Sequence, residues 1–173
     1  MSVSHLQDSD KENKLVCCVL TVSDTRNVAN DRSGWTIRQK LEAAGHHIFE
    51  TWLCQDDKME IESILEEWLR NPNVDAIITT GGTGIGFRDI TIETVTPYFT
   101  KTLDGFGELF RFLSYTEDVG SKALLSRAVA GTIQEKVLFA LPGSVKAVEL
   151  AMDKLIVPEL QHIVHELTKH LED

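Results

Sequence analysis

Apolar positions along the chain alternate between short unbroken runs and stretches repeating at helical intervals, a pattern that predicts an α/β domain on a largely parallel sheet. Leu15 to Val22 is nearly continuous apolar and β-branched, as expected of a central strand covered on both faces. Ile37, Leu41 and Ala44 then fall at helical spacing before Gly45, predicting a helix over Ser33 to Ala44, and His46 to Cys54 reads as a second strand. Ile61, Ile64, Leu65, Trp68 and Leu69 recur at i, i+3, i+4, i+7 and i+8, the clearest helical stripe in the sequence. Asp57 with Glu60 resembles a capping box at its start, which leaves Asp56 just outside, at the end of the preceding strand.

Val74 to Thr80 predicts a third strand that runs into Gly81-Gly82-Thr83-Gly84-Ile85-Gly86. Ile92 to Leu103 reads as a helix kinked or restarted at Pro97, and Leu103 to Arg127 as short helical patterns around Gly105 and Gly107. Ala128 to Gln134 and Val137 to Leu141 predict an antiparallel hairpin at one side of the sheet. Val148, Met152, Leu155, Ile163 and Leu167 mark a closing helical stretch that Pro158 kinks or divides. Met1 to Asn13 is polar and mostly acidic, and is expected to be a flexible tail before a single domain over residues 14–173.

Composition narrows the function classes. With 173 residues, 42% of them hydrophobic, one core is sufficient without disulfides or a structural metal. A net charge of −10 argues against a nucleic-acid binder with a broad basic face, and no apolar run approaches the ~18 residues that span a bilayer. The three cysteines, Cys17, Cys18 and Cys54, form no disulfide framework and no CxxC. Thiols of this kind without a signal peptide point to the cytoplasm.

Ligands of open α/β sheets sit beyond the carboxyl ends of the strands. Those ends carry Ser23-Asp24, Asp56, the Gly81 to Asp89 loop and Pro142-Gly143-Ser144. The glycine loop fails the GxGxxG spacing, and Gly81 and Gly86 are followed by Phe87-Arg88 rather than the Lys and Ser or Thr of a P-loop. Its amides, the Thr83 hydroxyl and the Arg88 guanidinium can still hold an anion, and four glycines beside Arg88-Asp89 favour that reading over a tight strand-to-helix turn that needs glycines only for positive φ. Ser144 reads both as a helix N-cap and as part of an anion site, with Lys146 nearby. Asp56 and Asp89 are candidates to hold Mg2+, to orient a nucleophile, or simply to shape loops. His162 and His165 share a helix face, where solvation is the expected role rather than metal binding. Trp35, Trp52 and Trp68 read as core or interface aromatics.

In order and spacing, Thr21-Val22-Ser23-Asp24, Asp31-Arg32-Ser33-Gly34, Thr79-Thr80-Gly81-Gly82-Thr83-Gly84, Arg88-Asp89-Ile90-Thr91, Gly105-Phe106-Gly107-Glu108 with Arg111, Leu125-Ser126-Arg127 and Pro142-Gly143-Ser144 resemble the MoaB/Mog family of molybdenum cofactor biosynthesis proteins, in its bacterial MoaB branch. The resemblance covers about Lys14 to His165. It implies a three-layer α/β/α sandwich, mostly parallel with an antiparallel edge hairpin, that binds molybdopterin. It further implies adenylylation of molybdopterin by Mg-ATP with release of pyrophosphate, or, as the alternative, a noncatalytic carrier or assembly role in the same pathway. By position, Asp56 and Asp89 would be the catalytic and Mg2+-binding carboxylates. Ser23, Asp24, Gly81, Gly82, Thr83, Gly84, Arg88, Gly105, Glu108, Ser126, Arg127, Pro142, Gly143 and Ser144 would contact the substrate. A homo-oligomer, trimer or hexamer, is implied as well, with Phe106, Phe110, Phe112 and Leu113 as interface or core, and the molybdate-insertion enzyme as a candidate partner.

Overall fold

The computed structural model describes residues 14–172, and the expected tail over Met1 to Asn13 lies outside them. A six-stranded sheet runs in the order β2-β1-β3-β6-β5-β4. Its strands are β1 (Val16–Val22), β2 (His47–Cys54), β3 (Ala76–Thr80), β4 (Lys101–Thr102), β5 (Val129–Ile133) and β6 (Lys136–Leu141). The first four in that order are parallel, and β5 pairs antiparallel with both β6 and β4. The helices are α1 (Arg32–Ala43), α2 (Lys58–Arg70), α3 (Thr91–Val95), α4 (Asp104–Glu117), α5 (Val145–Ala151) and α6 (Val157–Thr168).

Alternate residues of β1 feed two cores, which makes the molecule three-layered. Cys17 and Val19 pack with Ile37 and Leu41 of α1, Phe106 and Phe110 of α4, and Val148 and Leu160 of α5 and α6. Cys18, Leu20 and Val22 pack on the other face with Ile61, Leu65 and Trp68 of α2 and with Val95 of α3. That double burial is why β1 carries no polar alternation. Of the three tryptophans, Trp68 is core, donating from Nε1 to Glu50 at 2.6 Å, whereas Trp35 and Trp52 are 56% and 53% exposed.

Three expectations change in form. The stretch Ile92 to Leu103 is not one kinked helix: α3 ends at Val95, a 3-10 turn spans Thr96–Tyr98, and β4 follows. Proline in the first turn of that 3-10 segment withholds a donor, while Thr100 and Leu103 donate instead to Thr132 and Ala130 of β5. Phe99 lies so close to Gly131 that a Cβ there would sit 2.3 Å from its ring, which pins the segment to the sheet.

The patterns around Gly105 and Gly107 merge into the 14-residue helix α4, followed by a 3-10 segment, Gly120–Leu125. Gly107 is a packing residue: a Cβ would lie 2.7 Å from the Arg111 guanidinium and 3.1 Å from the Ala128 carbonyl. Before Pro158 the closing helix stays continuous through a π-helical turn at Met152–Ile156, a usual accommodation of a missing amide donor. The buried ladder there is Met152, Ile156, Leu160 and Val164, while Leu155, Ile163 and Leu167 pack at its margin.

Candidate functional site

A cavity of about 620 Å3 opens beyond the carboxyl ends of the parallel strands. Ser23 to Arg26 enter it after β1, Asp56 after β2, Gly81 to Gly84 with Arg88 and Asp89 after β3, and Pro142 to Ser144 after β6. The strand-end reading therefore brings four separated segments to one place.

The glycine loop is held by its own neighbours. Gly81 donates to Leu141 at 3.0 Å, Thr91 donates from its amide to Gly82 and from its hydroxyl to Gly81, and Thr80 Oγ1 donates to Pro142. Gly81 and Gly82 have φ of +97° and +70°, which residues with a Cβ rarely adopt. A Cβ on Gly82 would also meet the Thr91 hydroxyl at 2.2 Å and Asp56 Oδ1 at 3.0 Å. The amides of Gly82, Thr83 and Gly84 have no acceptor among the described residues. The two early readings of this loop thus coexist: positive φ shapes the turn, and the shaped turn leaves donors available for an anion.

The carboxylates differ in environment. Asp24 accepts both Nε (2.6 Å) and Nη2 (3.0 Å) of Arg88, and the same carboxylate accepts the Asp56 amide at 3.1 Å. The Arg88 guanidinium holds the Asp24 carboxyl below its usual range. Asp56 is pushed the other way, first by burial and then by the charges of Asp24 and Asp89. Asp89 accepts the Gly86 amide at 2.9 Å. Arg88 is thus committed to Asp24 rather than free to fork onto phosphate, and the pair acts as a strut for Asp56.

Asp56 and Asp89 fit the role of a partial Mg2+ shell. Both are oxygen donors, burial and the charges of Asp24 and Asp89 raise the pKa of the Asp56 carboxyl in a way that a cation would relieve, and Mg2+ takes its remaining ligands from water and phosphate. Among the described residues no group of three or more His, Cys, Asp and Glu side chains is arranged to hold a metal by itself. His162 pairs with Glu159 and Glu166 on the solvated face of α6.

Other expected contacts have structural positions. Ser23 Oγ accepts the amides of Thr25 and Arg26, closing a turn. Ser144 caps α5 by accepting the Ala147 amide at 3.2 Å, and Asp57 caps α2 by accepting the Glu60 amide at 3.0 Å, with Asp56 outside the helix as read from the sequence. The reciprocal half of that capping box is redirected, since Glu60 accepts from Gln55. Arg127 lies behind the glycine loop, donating to the Gly84 carbonyl and pairing with Glu93, and is not among the residues lining the cavity. Gly105 and Glu108, on the first turns of α4, are also absent from its wall. Ser126 does line it, with a buried hydroxyl that has no partner among the described residues.

Sequence reasoning missed the wall supplied by Phe110, Ser114, Asp118, Val119 and Lys122, and the brace Arg26, which donates to Ser33 and to the Gly143 carbonyl. The available signal was position: Lys122 lies between two motif segments already singled out.

The family model described as "Probable molybdopterin binding domain" matches residues 18–162. Molybdenum cofactor biosynthesis protein B of Staphylococcus carnosus (strain TM300) is 56% identical over 155 residues, covering 88% of this chain and 91% of that protein. A crystal structure of a molybdenum cofactor biosynthesis protein B superposes with a TM-score of 0.87 at 47% identity, over 90% of this chain and 97% of that one. The tungsten cofactor synthesizing protein MoaB from Pyrococcus furiosus gives a TM-score of 0.80 at 40% identity, over 89% of this chain and 97% of that one.

Proposed function

The chain belongs to the molybdenum cofactor biosynthesis family with a molybdopterin-binding domain, and on that premise we propose that its cavity adenylylates molybdopterin. The observation that carries this reading is the pairing of Asp56 and Asp89 with a glycine loop in which the Gly82, Thr83 and Gly84 amides lack acceptors among the described residues. In the reaction an oxygen of the pterin's terminal phosphate attacks the α-phosphorus of ATP. The bond from that phosphorus to the β-phosphate bridging oxygen breaks, and pyrophosphate leaves with the electron pair. Such a transfer needs charge neutralisation and in-line placement rather than a covalent nucleophile.

The residues divide that work. Gly82, Thr83 and Gly84 offer amides to phosphate oxygens, and the Arg88–Asp24 strut fixes the Asp56 backbone. Arg127 fixes Gly84 from behind. Mg2+ arriving with ATP supplies positive charge, and Asp56 and Asp89 would hold it. Purified protein given molybdopterin and Mg-ATP should release pyrophosphate, and Asp89→Ala should suppress release; a wild-type rate equal to the protein-free control refutes the proposal.

One observation favours a second reading, a noncatalytic carrier of the pterin. Arg88, the cation of the glycine loop, is already neutralised by Asp24, which leaves the loop short of charge for a triphosphate. That reading expects tight molybdopterin binding without ATP turnover. In either case the working protein is a cytoplasmic homo-oligomer, trimer or hexamer. Phe106 and Phe110 belong to the core, but Leu109, Phe112 and Tyr115 leave an exposed apolar face on α4 suited to a second copy. Light scattering at micromolar protein should report a multimer, and a 19.4 kDa particle rejects it.

A further inference from the structure

The cations lining the cavity are unequally committed. Arg26 is spent on Ser33 and the Gly143 carbonyl, and Arg88 on Asp24. Lys122, on the 3-10 segment after α4, lines the same cavity and makes no hydrogen bond or ion pair with any described residue. A carboxylate stands four residues before it. That carboxylate, Asp118, also lines the cavity but is engaged by Lys146 at 3.3 Å.

A second, independent observation lies four residues further on. Ser126 borders the same cavity, and its buried Oγ has no hydrogen-bond partner among the described residues, although buried hydroxyls nearly always find one. Lys122 and Ser126 therefore border one space on the wall built by α4 and its 3-10 extension. The strand-end wall carries Asp56 and Asp89, whose charge repels an anion that comes without a cation. The two walls are complementary: one suits a metal-accompanied phosphate, the other a bare one.

We propose that Lys122 and Ser126 form a phosphate-binding subsite that orients the substrate through a phosphoryl group not carried by the Asp56–Asp89 pair. The proposal rests on the reading that the cavity takes phosphorylated substrates. Two sources share this chemistry, the phosphate monoester of the pterin and the outer phosphates of the nucleotide. Lys122 is a point charge on a flexible stem, so arginine can replace it while alanine cannot.

The test is calorimetric titration of the full chain with inorganic pyrophosphate, with and without Mg2+. Lys122→Ala should weaken binding about tenfold, as loss of one charge-assisted contact does, and Lys122→Arg should stay within about threefold of wild type. Ser126→Ala should weaken binding too, and melting curves should show both variants folded. In steady-state assays Lys122→Ala should raise KM with kcat little changed. A rise confined to the pterin assigns the monoester, and a rise confined to ATP assigns the nucleotide. Equal pyrophosphate affinity in wild type and Lys122→Ala, or no binding by wild type, overturns the subsite. Since binding needs no turnover, a Lys122-dependent affinity in a protein that releases no pyrophosphate supports the subsite and removes only the transfer reaction.

Discussion

Alanine at two glycines of the site loop should separate folding from chemistry. At Gly81, φ is +97° and an added Cβ would lie 2.1 Å from the Val22 carbonyl oxygen, a backbone atom at the end of β1. Relief therefore requires moving either the strand end that carries Ser23 and Asp24 or the loop itself. The left-handed conformation costs roughly 1–2 kcal/mol and overpacking typically about 1–3 kcal/mol, so Gly81→Ala should destabilise by about 2–5 kcal/mol. At about 2–4 °C per kcal/mol for a chain of this size, Tm should fall by roughly 4–20 °C.

At Gly84 the backbone is ordinary, and the Cβ would meet Asp89 Oδ2 at 2.7 Å, the end of a side chain that can swing. Gly84→Ala should cost about 1 kcal/mol or less, as surface substitutions away from the core do, because the side chain gives way. It moves the carboxylate, however, and a misplacement of ~1 Å can cost about a hundredfold in rate. Urea denaturation paired with the pyrophosphate assay reads both variants. An unchanged unfolding midpoint for Gly81→Ala, or full activity with unchanged Asp89 geometry in Gly84→Ala, refutes the reasoning.

Asp56→Asn should be at least as stable as wild type at pH 7 while losing activity. The folded-state pKa of Asp56 lies above its usual 3.8, so the stabilisation belonging to the protonated form is complete below 3.8 and is lost as pH rises through the folded value. The advantage of asparagine should accordingly vanish in melting curves below that pH, and a less stable Asp56→Asn at pH 7 contradicts the assignment. Cys17, Cys18 and Cys54 are buried, with pKa values pushed up to about 12 chiefly by that burial. A disulfide thiol reagent at pH 8 should leave the native protein unlabelled and titrate three thiols in urea; rapid native labelling counts against the buried environment.

What could be read from the chain followed the range of the interactions. The strand β1 declares itself by an unbroken apolar run and helix α2 by its apolar periodicity, and Asp57 as a cap is a contact over three residues, which leaves Asp56 outside the helix. Helix α4 was obscured because Gly105 and Gly107 look like breakers. The reason for Gly107 lies 21 residues away, at the Ala128 carbonyl. Arg88 reads as an anion ligand from its charge and Arg127 as a substrate contact from the family resemblance, while in the fold Arg88 reaches 64 positions back to Asp24 and Arg127 reaches 43 positions back to Gly84. Such pairings depend on strand order, which no local pattern encodes. Lys122 is the converse case, a residue without a motif that the fold brings to the cavity.

Mass analysis of the pterin after incubation with the protein and Mg-ATP tests the central claim most directly. The account predicts a pterin product carrying an added adenylyl group, formed by wild type and absent with Asp89→Ala. Recovery of unmodified molybdopterin from a folded wild-type protein that has bound it contradicts adenylyl transfer and leaves the carrier reading in its place.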